Sequence, residues 1–164
     1  MTAIIGQFAP GGQRFRFRPV DLEGGPDWLL GQVQVMWTRA YRRDTARMVV
    51  DLMLFEWSVL AHTHWPRPLM EQRPHQWTYV AGIGRAHRGS NQTAPQTREL
   101  AEPPRGAEEW AYLWEAGCGA LHVYVAAGRR WHHIATLPDE VFAELNEQLV
   151  MDIQQRQSWL EDTA

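Results

Sequence analysis

The chain has 164 residues, of which 45% are apolar and 21% are charged, and its formal net charge at pH 7 is −3. These values are typical of a globular protein, and they argue against intrinsic disorder and against a strongly basic nucleic-acid-binding domain. All 16 basic residues are arginine. One explanation for the missing lysine is a GC-rich coding background. The functional alternative is that the protein uses arginine in place of lysine because arginine binds carboxylates and phosphates in a bidentate manner and stacks on aromatic rings.

Three features of the sequence predict a soluble, cytoplasmic protein with no membrane partner. Cys118 is the single cysteine, so no internal disulfide can form and a reducing compartment is indicated. The first residues lack the charged and apolar regions of a signal peptide. The longest apolar stretch, residues 48–61, contains two acidic residues and is shorter than the roughly 20 residues that a bilayer requires.

The beginning of the chain predicts two strands and a helix. Residues 3–9 and 13–20 are predicted strands on either side of a Pro-Gly-Gly turn. In the second strand arginine alternates with phenylalanine, so the two residue types lie on opposite faces. An amphipathic helix follows from about Pro26, and its apolar residues keep helical spacing as far as Tyr41.

Residues 45–63 fit two different elements. Asp44 is a suitable cap for a broadly apolar helix that reaches His62, and the polar residues of this segment share one side of a helical wheel. Alternate residues from Met53 to Ala61 are also apolar, as in a strand. The helix is the preferred interpretation, and the choice between helix and strand stays open.

The second half of the chain predicts a sheet followed by a helix. Residues 84–107 are rich in polar residues, glycine and proline, and they predict a long flexible loop. The predicted elements around it are a strand at 76–83, a strand at 110–114, a hairpin of strands 120–126 and 129–137 around Ala127-Gly128, and a C-terminal amphipathic helix with the apolar stripe Phe142, Leu145, Leu149 and Ile153. This order predicts a single α+β domain over residues 1–164, in which an antiparallel sheet of four to six strands packs against about three helices.

Two histidines of the predicted hairpin are candidates for a metal site or an acid–base site. If the loop has an even number of residues and closes at Ala127-Gly128, His122 faces His133 across the ladder, with Cβ atoms about 4.5–5.5 Å apart. Zinc requires at least a third protein ligand, for which His62 and His64 are weak candidates. Ordinary packing within a sheet also accounts for the pair, so neither a metal nor a cofactor is predicted.

Arginine and tryptophan side chains are the predicted binding residues. The arginines of the second strand would repel one another unless solvent, an anion or an acidic partner offsets their charge. The glycine-rich segment 82–89 adds further arginines, but it lacks the lysine and the following helix of a phosphate-binding loop. Tryptophan and arginine are also enriched at interface hot spots. The candidates for binding an anion or a partner are Arg14, Arg16, Arg18, Arg85, Arg88 and Trp65.

These residues support three hypotheses of function. The first is a non-enzymatic binding or accessory protein that recognises a macromolecular partner through arginine and tryptophan. A phage or a mobile element is a suitable context for such a protein. A protein partner is favoured because the net charge is negative. The second is a small metal-dependent or acid–base enzyme built around the hairpin histidines. The third is a nucleic-acid-binding protein that uses the arginine face of the second strand.

Overall fold

A computed structural model describes residues 2–63 and 74–163 of the chain. Within these ranges nine strands form one mixed sheet, which four α-helices accompany. No helix of the described residues is both long enough and apolar enough to cross a membrane. The strands are β1 (Thr2–Phe8), β2 (Arg14–Val20), β3 (Trp57–Leu60), β4 (Trp77–Val80), β5 (Gly84–His87), β6 (Gln96–Glu99), β7 (Glu108–Trp114), β8 (Ala120–Ala127) and β9 (Arg130–Pro138). The helices are α1 (Pro26–Arg39), α2 (Thr45–Leu52), α3 (Asp139–Ala143) and α4 (Glu147–Thr163), with one-turn 3₁₀ helices at Pro74–Gln76 and Ser90–Gln92.

The sheet is mixed, so the prediction of an antiparallel sheet with four to six strands and about three helices is wrong. Its strand order is β4-β5-β3-β2-β1-β7-β8-β9, and β6 pairs separately with β2. Strands β1 and β7 run parallel, with Ala3 opposite Trp110, and so do β2 and β3, with Val20 opposite Trp57. Parallel strands need long connections, so each pair joins segments that are distant in sequence. Local alternation of residues therefore carries no information about these pairs.

Two short strands and a 3₁₀ turn lie within residues 84–107, where the sequence predicts a long loop. Strand β5 pairs with both β3 and β4, and β6 pairs with β2 through Phe15 opposite Arg98. Each strand has four residues, which is too short for an alternating pattern to be recognised. Gly84 begins β5 at a close approach to β3, since an added Cβ would lie 2.3 Å from the carbonyl oxygen of Val59.

Residues 45–63 contain part of each predicted alternative. The Asp44 carboxylate accepts a hydrogen bond of 3.1 Å from the Arg47 N–H, which caps α2 as predicted, but this helix ends at Leu52. The chain then turns into β3, so the prediction of a helix reaching His62 is wrong. All four residues of β3 are buried. A strand that is apolar on both faces does not alternate, and its sequence therefore does not differ from that of a buried helix.

The four helices cover one face of the sheet, here called the helix face. Helix α1 is present as predicted, and a C-terminal helix is present as α4, but the predicted C-terminal helix is divided: Phe142 belongs to the short helix α3 and Leu145 lies between α3 and α4. In the predicted C-terminal stripe, Phe142 and Ile153 are buried, and Leu145 and Leu149 pack against the core while partly exposed. The core on this face also contains Ile5, Leu30, Met36, Met48, Trp57, Tyr112 and Val123.

A second, smaller core covers the opposite face of the sheet, here called the second face. It consists of Ile4, Phe8, Phe15, Phe17, Ala111, Leu113 and Tyr124. The burial of both β2 phenylalanines here confirms the predicted alternation in that strand. Arg98 of β6 lies over the Phe17 ring at 4.5 Å and forms an ion pair with Glu108, at 2.6 and 3.1 Å. This buried pair joins β6 to the start of β7.

Candidate active site

The β8–β9 hairpin differs in register from the prediction. Its turn residues are Gly128 and Arg129, both with positive φ (57° and 63°), and Ala127 pairs with Arg130. Further along, Tyr124 pairs with His133 but Val123 pairs with Ala135, which leaves one extra residue in β9. This is a β-bulge, an insertion that lets two residues of one strand oppose one residue of its partner.

The bulge determines which side chains of β9 share a face. Ile134 and Ala135 both enter the core of the helix face. His133 and Thr136 are three positions apart and would lie on opposite faces of a regular strand. Because of the bulge they lie together, and the Thr136 hydroxyl is 3.1 Å from His133 Nε2.

The two hairpin histidines are in direct contact. His122 Nδ1 is 3.1 Å from His133 Nε2, and the ring centroids are 5.2 Å apart. They are diagonal neighbours, because the residue directly opposite His122 is Thr136. The Thr136 hydroxyl lies 3.3 Å from His122 Nδ1, so it is within hydrogen-bond reach of both imidazoles.

Glu115 completes the cluster from the turn between β7 and β8. Its Oε1 atom is 3.0 Å from His122 Nε2. The space for this carboxylate depends on Gly119, where an added Cβ would lie 2.7 Å from Glu115 Oε2. Neither Glu115 nor Thr136 is predicted from the sequence, since their positions beside His122 follow from the turn and from the bulge.

The carboxylate fixes the tautomer of His122. An ionised carboxylate only accepts hydrogen bonds, so His122 Nε2 carries the proton and donates it to Glu115. In the neutral imidazole the Nδ1 atom is then an acceptor, and it points toward Thr136 and His133. Burial lowers the pKa of His133, the charge that His122 carries when it is protonated and the Arg156 guanidinium lower it further, and a hydrogen bond to the Ala135 backbone acts in the opposite direction. Although His133 is exposed as a residue, its ring packs against the Tyr124 ring at 5.2 Å.

A cavity of about 410 Å³ opens beside this cluster. Its wall includes Glu115 and His122, and the Phe8 ring lies 6.2 Å from the His122 ring in an edge-on arrangement. The remaining lining residues are Ala9, Gly11, Gly12, Ala116, Gly117 and Tyr124. The size is suited to a small molecule. Glu115 is the one carboxylate among these lining residues and no arginine is among them, so the wall favours an uncharged ligand over an anion.

The arginines predicted to bind an anion or a partner have different environments. Arg18 is only 2% exposed, and it donates to the carbonyl oxygens of Met53 (2.8 Å), Leu54 and Thr93. Arg85 is also buried, donates to the Ser58 hydroxyl, and lies over the Trp77 ring. These two arginines therefore hold the fold together. Arg14, Arg16 and Arg88 are exposed.

The remaining candidates do not join the cluster. His62 forms a hydrogen bond of 3.0 Å with the Gly82 carbonyl oxygen, while His64 and Trp65 lie outside the described residues. Across residues 2–63 and 74–163, no group of three or more His, Cys, Asp or Glu side chains is arranged to hold a metal ion. Burial raises the pKa of the Cys118 thiol, with Asp139 and Asp44 adding to the effect, so this thiol is a poor nucleophile at neutral pH.

Half of the eight described tryptophans are core residues. Trp37, Trp57, Trp110 and Trp114 are buried, whereas Trp159 on α4 is 59% exposed.

Comparison of the chain with protein-family models, with curated proteins and with solved structures gives no significant match.

Proposed function

We propose that the chain is a small acid–base hydrolase that cleaves uncharged esters by acyl transfer to Thr136. The observation that carries this proposal is the sequence of contacts from Thr136 through His122 to Glu115. The hydroxyl is 3.3 Å from Nδ1 of the imidazole, and Nε2 of the same ring is 3.0 Å from the carboxylate. A nucleophile, a base within hydrogen-bond reach and a third group that orients the base form the arrangement used in nucleophilic catalysis.

The tautomer of His122 supports the direction of proton transfer. Thr136 Oγ1 attacks the carbonyl carbon of the ester, and its proton passes to His122 Nδ1. The ester C–O bond then breaks, and the departing alcohol takes that proton from His122. Water attacks the acyl group on Thr136 with His122 again acting as the base, which releases the acid and restores the hydroxyl. Glu115 stabilises the imidazolium that forms in each step.

His133 supports the same chemistry as a second, neutral imidazole. Because burial and nearby positive charge lower its pKa, it stays unprotonated at neutral pH and adds no positive charge next to His122. Its Nε2 atom is 3.1 Å from the Thr136 hydroxyl, so it is placed to hold that hydroxyl in position for attack.

The test is hydrolysis of p-nitrophenyl acetate by the purified chain and four variants. General acid–base catalysis contributes about 10²–10⁴-fold, so His122→Gln should lower kcat/KM by a factor in that range. Thr136→Ala should abolish the acetylated Thr136 that mass spectrometry detects in rapidly quenched wild-type protein. His132→Gln is the matched control for a surface imidazole, because this neighbour donates to the Ala127 carbonyl oxygen and lies outside the cluster. Thr38→Ala on α1 is the control for the hydroxyl.

The proposal fails if wild-type protein and His122→Gln hydrolyse the ester at the same rate. It also fails if the acetyl group is found on other residues and none on Thr136. An equal loss of rate in His122→Gln and His132→Gln would indicate unspecific reaction of surface imidazoles.

The hypothesis of a macromolecular partner stays a prediction. Of the candidate arginines, Arg14 and Arg16 on β2 and Arg88 directly after β5 are exposed, and the exposed Trp159 lies on α4. A cytoplasmic location likewise stays a prediction, supported by the single cysteine.

A further inference from the structure

Arg16 is held in place by a side chain that has no charge. It lies opposite Gln7 in the β1–β2 ladder, and its Nη2 atom donates to Gln7 Oε1 at 3.3 Å. The amide nitrogen of Gln7 donates to the Ala116 carbonyl oxygen at 3.0 Å and to Cys118 Sγ at 3.2 Å. These bonds orient the Gln7 amide, so its oxygen faces the guanidinium. Among the described residues no carboxylate forms an ion pair with Arg16.

A cavity of about 450 Å³ lies against this arginine. Its wall includes Arg14, Arg16, Gln7 and Thr97, and none of its described lining residues is acidic. Arg14 has a carboxylate partner in Glu99, but the contact is 3.5 Å long and both side chains are more than half exposed, at 62% and 58%. Such an exposed pair is weak and can be exchanged for a ligand at little cost.

We propose that this cavity binds the phosphate group of a small molecule through Arg14 and Arg16. Two guanidinium groups beside an apolar wall provide the planar, bidentate donors that phosphate oxygens accept. The next arginine of the same face, Arg18, is buried and fully used by carbonyl oxygens, so the exposed row ends after two residues. A row this short, on a chain with a net charge of −3, suits a single phosphate group better than a polynucleotide backbone.

The phosphate site is separate from the proposed hydrolase site. Arg14, Arg16 and Gln7 alternate with the phenylalanines of the second face, so they lie on the other side of the sheet from His122. The two cavities share only Phe8, Ala9 and Ala116 in their walls. Phosphate binding is therefore expected to be unchanged in Thr136→Ala, and the two proposals stand or fall independently.

The test is titration of the full chain with inorganic phosphate at constant ionic strength. Calorimetry and NMR of the arginine side chains monitor the binding. Wild-type protein should bind with saturation, and Arg16→Gln should weaken binding about tenfold or more, because charge-assisted hydrogen bonds are lost. Gln7→Leu keeps the charge but releases the guanidinium, so a smaller loss is expected. Arg105→Gln is the matched control, since this exposed arginine pairs with Glu102 away from the cavity.

Two results would overturn the proposal. One is the absence of saturation by phosphate at concentrations well above the millimolar range in a wild-type chain that is folded by circular dichroism. The other is equal affinity in wild type, Arg14→Gln and Arg16→Gln. A parallel titration with a single-stranded oligonucleotide distinguishes the source of the phosphate. Tight, salt-sensitive binding of the oligonucleotide without binding of inorganic phosphate would assign the arginines to nucleic acid instead.

Discussion

Replacing Glu108 by glutamine tests the buried ion pair that joins β6 to β7 on the second face of the sheet. Arg98 is 4% exposed, and its guanidinium donates two hydrogen bonds to the Glu108 carboxylate. Glu108→Gln keeps the size of the side chain but removes its charge. One of the two guanidinium contacts then faces an NH₂ group, which cannot accept a hydrogen bond.

The expected cost is large because the arginine stays buried. A hydrogen bond to a charged group contributes about 1.5–3 kcal/mol, and removing one partner of a buried pair costs about 3–5 kcal/mol. The Phe17 ring at 4.5 Å still faces the guanidinium and offsets part of this loss. We therefore expect Glu108→Gln to lower the free energy of unfolding by about 3 kcal/mol. For a chain of this size that corresponds to a fall in Tm of roughly 6–12 °C.

Urea unfolding at neutral pH, followed by circular dichroism, measures this change. The matched control is Glu99→Gln, which removes the carboxylate of the exposed Arg14 pair and should cost no more than about 1 kcal/mol. The double variant Arg98→Met/Glu108→Leu removes both charges together and should be more stable than Glu108→Gln alone. Equal stabilities of Glu108→Gln and Glu99→Gln would refute the reasoning, because burial would then make no difference to an ion pair.

Three further predictions concern the core, the glycines and the histidine pair. Ile153→Ala should lower the free energy of unfolding by about 2–5 kcal/mol, because this side chain is fully buried between α4 and the sheet, and a change in urea unfolding below about 0.5 kcal/mol contradicts it. Gly84→Ala should lower Tm sharply because the new Cβ meets a backbone oxygen of β3, whereas Gly31→Ala, in open space on α1, should stabilise the helix by up to about 1 kcal/mol. An NMR titration should give His133 a pKa below the ordinary histidine value of about 6.5, and His122→Gln should raise it because a neighbouring charge is removed. The folded chain disfavours protonated His133, so protonation of this residue destabilises the fold. The contribution of His133 to the free energy of unfolding is therefore complete above the ordinary histidine pKa and is lost as the pH falls through the lowered pKa of the folded chain. An unshifted titration would contradict this.

Elements whose apolar residues recur with one clear period, helical or strand-like, could be predicted from the sequence. The helical spacing from Pro26 onward predicts α1, and the end of the predicted C-terminal stripe, with Leu149 and Ile153, predicts α4. The alternation of arginine and phenylalanine in β2 gave its two faces. In the helices one side is buried and the other is not, and in β2 the phenylalanine side is buried while Arg14 and Arg16 on the other side are exposed, so the pattern repeats along the sequence.

The remaining elements depend on information that a local pattern does not contain. Strand β3 is buried on both faces and cannot be distinguished from a helix by its period. The parallel pairing of β1 with β7 involves residues that are remote in sequence. The hairpin turn uses Arg129 at positive φ, a conformation that favours glycine or asparagine, so the turn lies one residue later than predicted and Ala127 pairs with Arg130.

The candidate site could be predicted only in part for the same reason. The sequence indicates that His122 and His133 are close, and they are in contact. Strict alternation places Thr136 on the other face from His133, so the sequence does not predict that the Thr136 hydroxyl belongs to the site. The extra residue Ile134 reverses that assignment. Glu115 lies in a turn, where the direction of a side chain follows from the backbone and not from a repeating pattern.

The buried arginines have a consequence for chemical labelling of this chain. Arg18, Arg85 and Arg98 each donate at least two hydrogen bonds from different nitrogen atoms of the guanidinium fork, which a lysine ammonium on its flexible stem cannot reproduce. These three positions therefore resist conversion to lysine. An exposed arginine such as Arg105 does not, because it has only a surface ion pair to lose. Arg105→Lys would introduce the one side-chain amine of the sequence, so that a fluorophore directed at lysine side chains attaches at a known place while the core keeps its arginines.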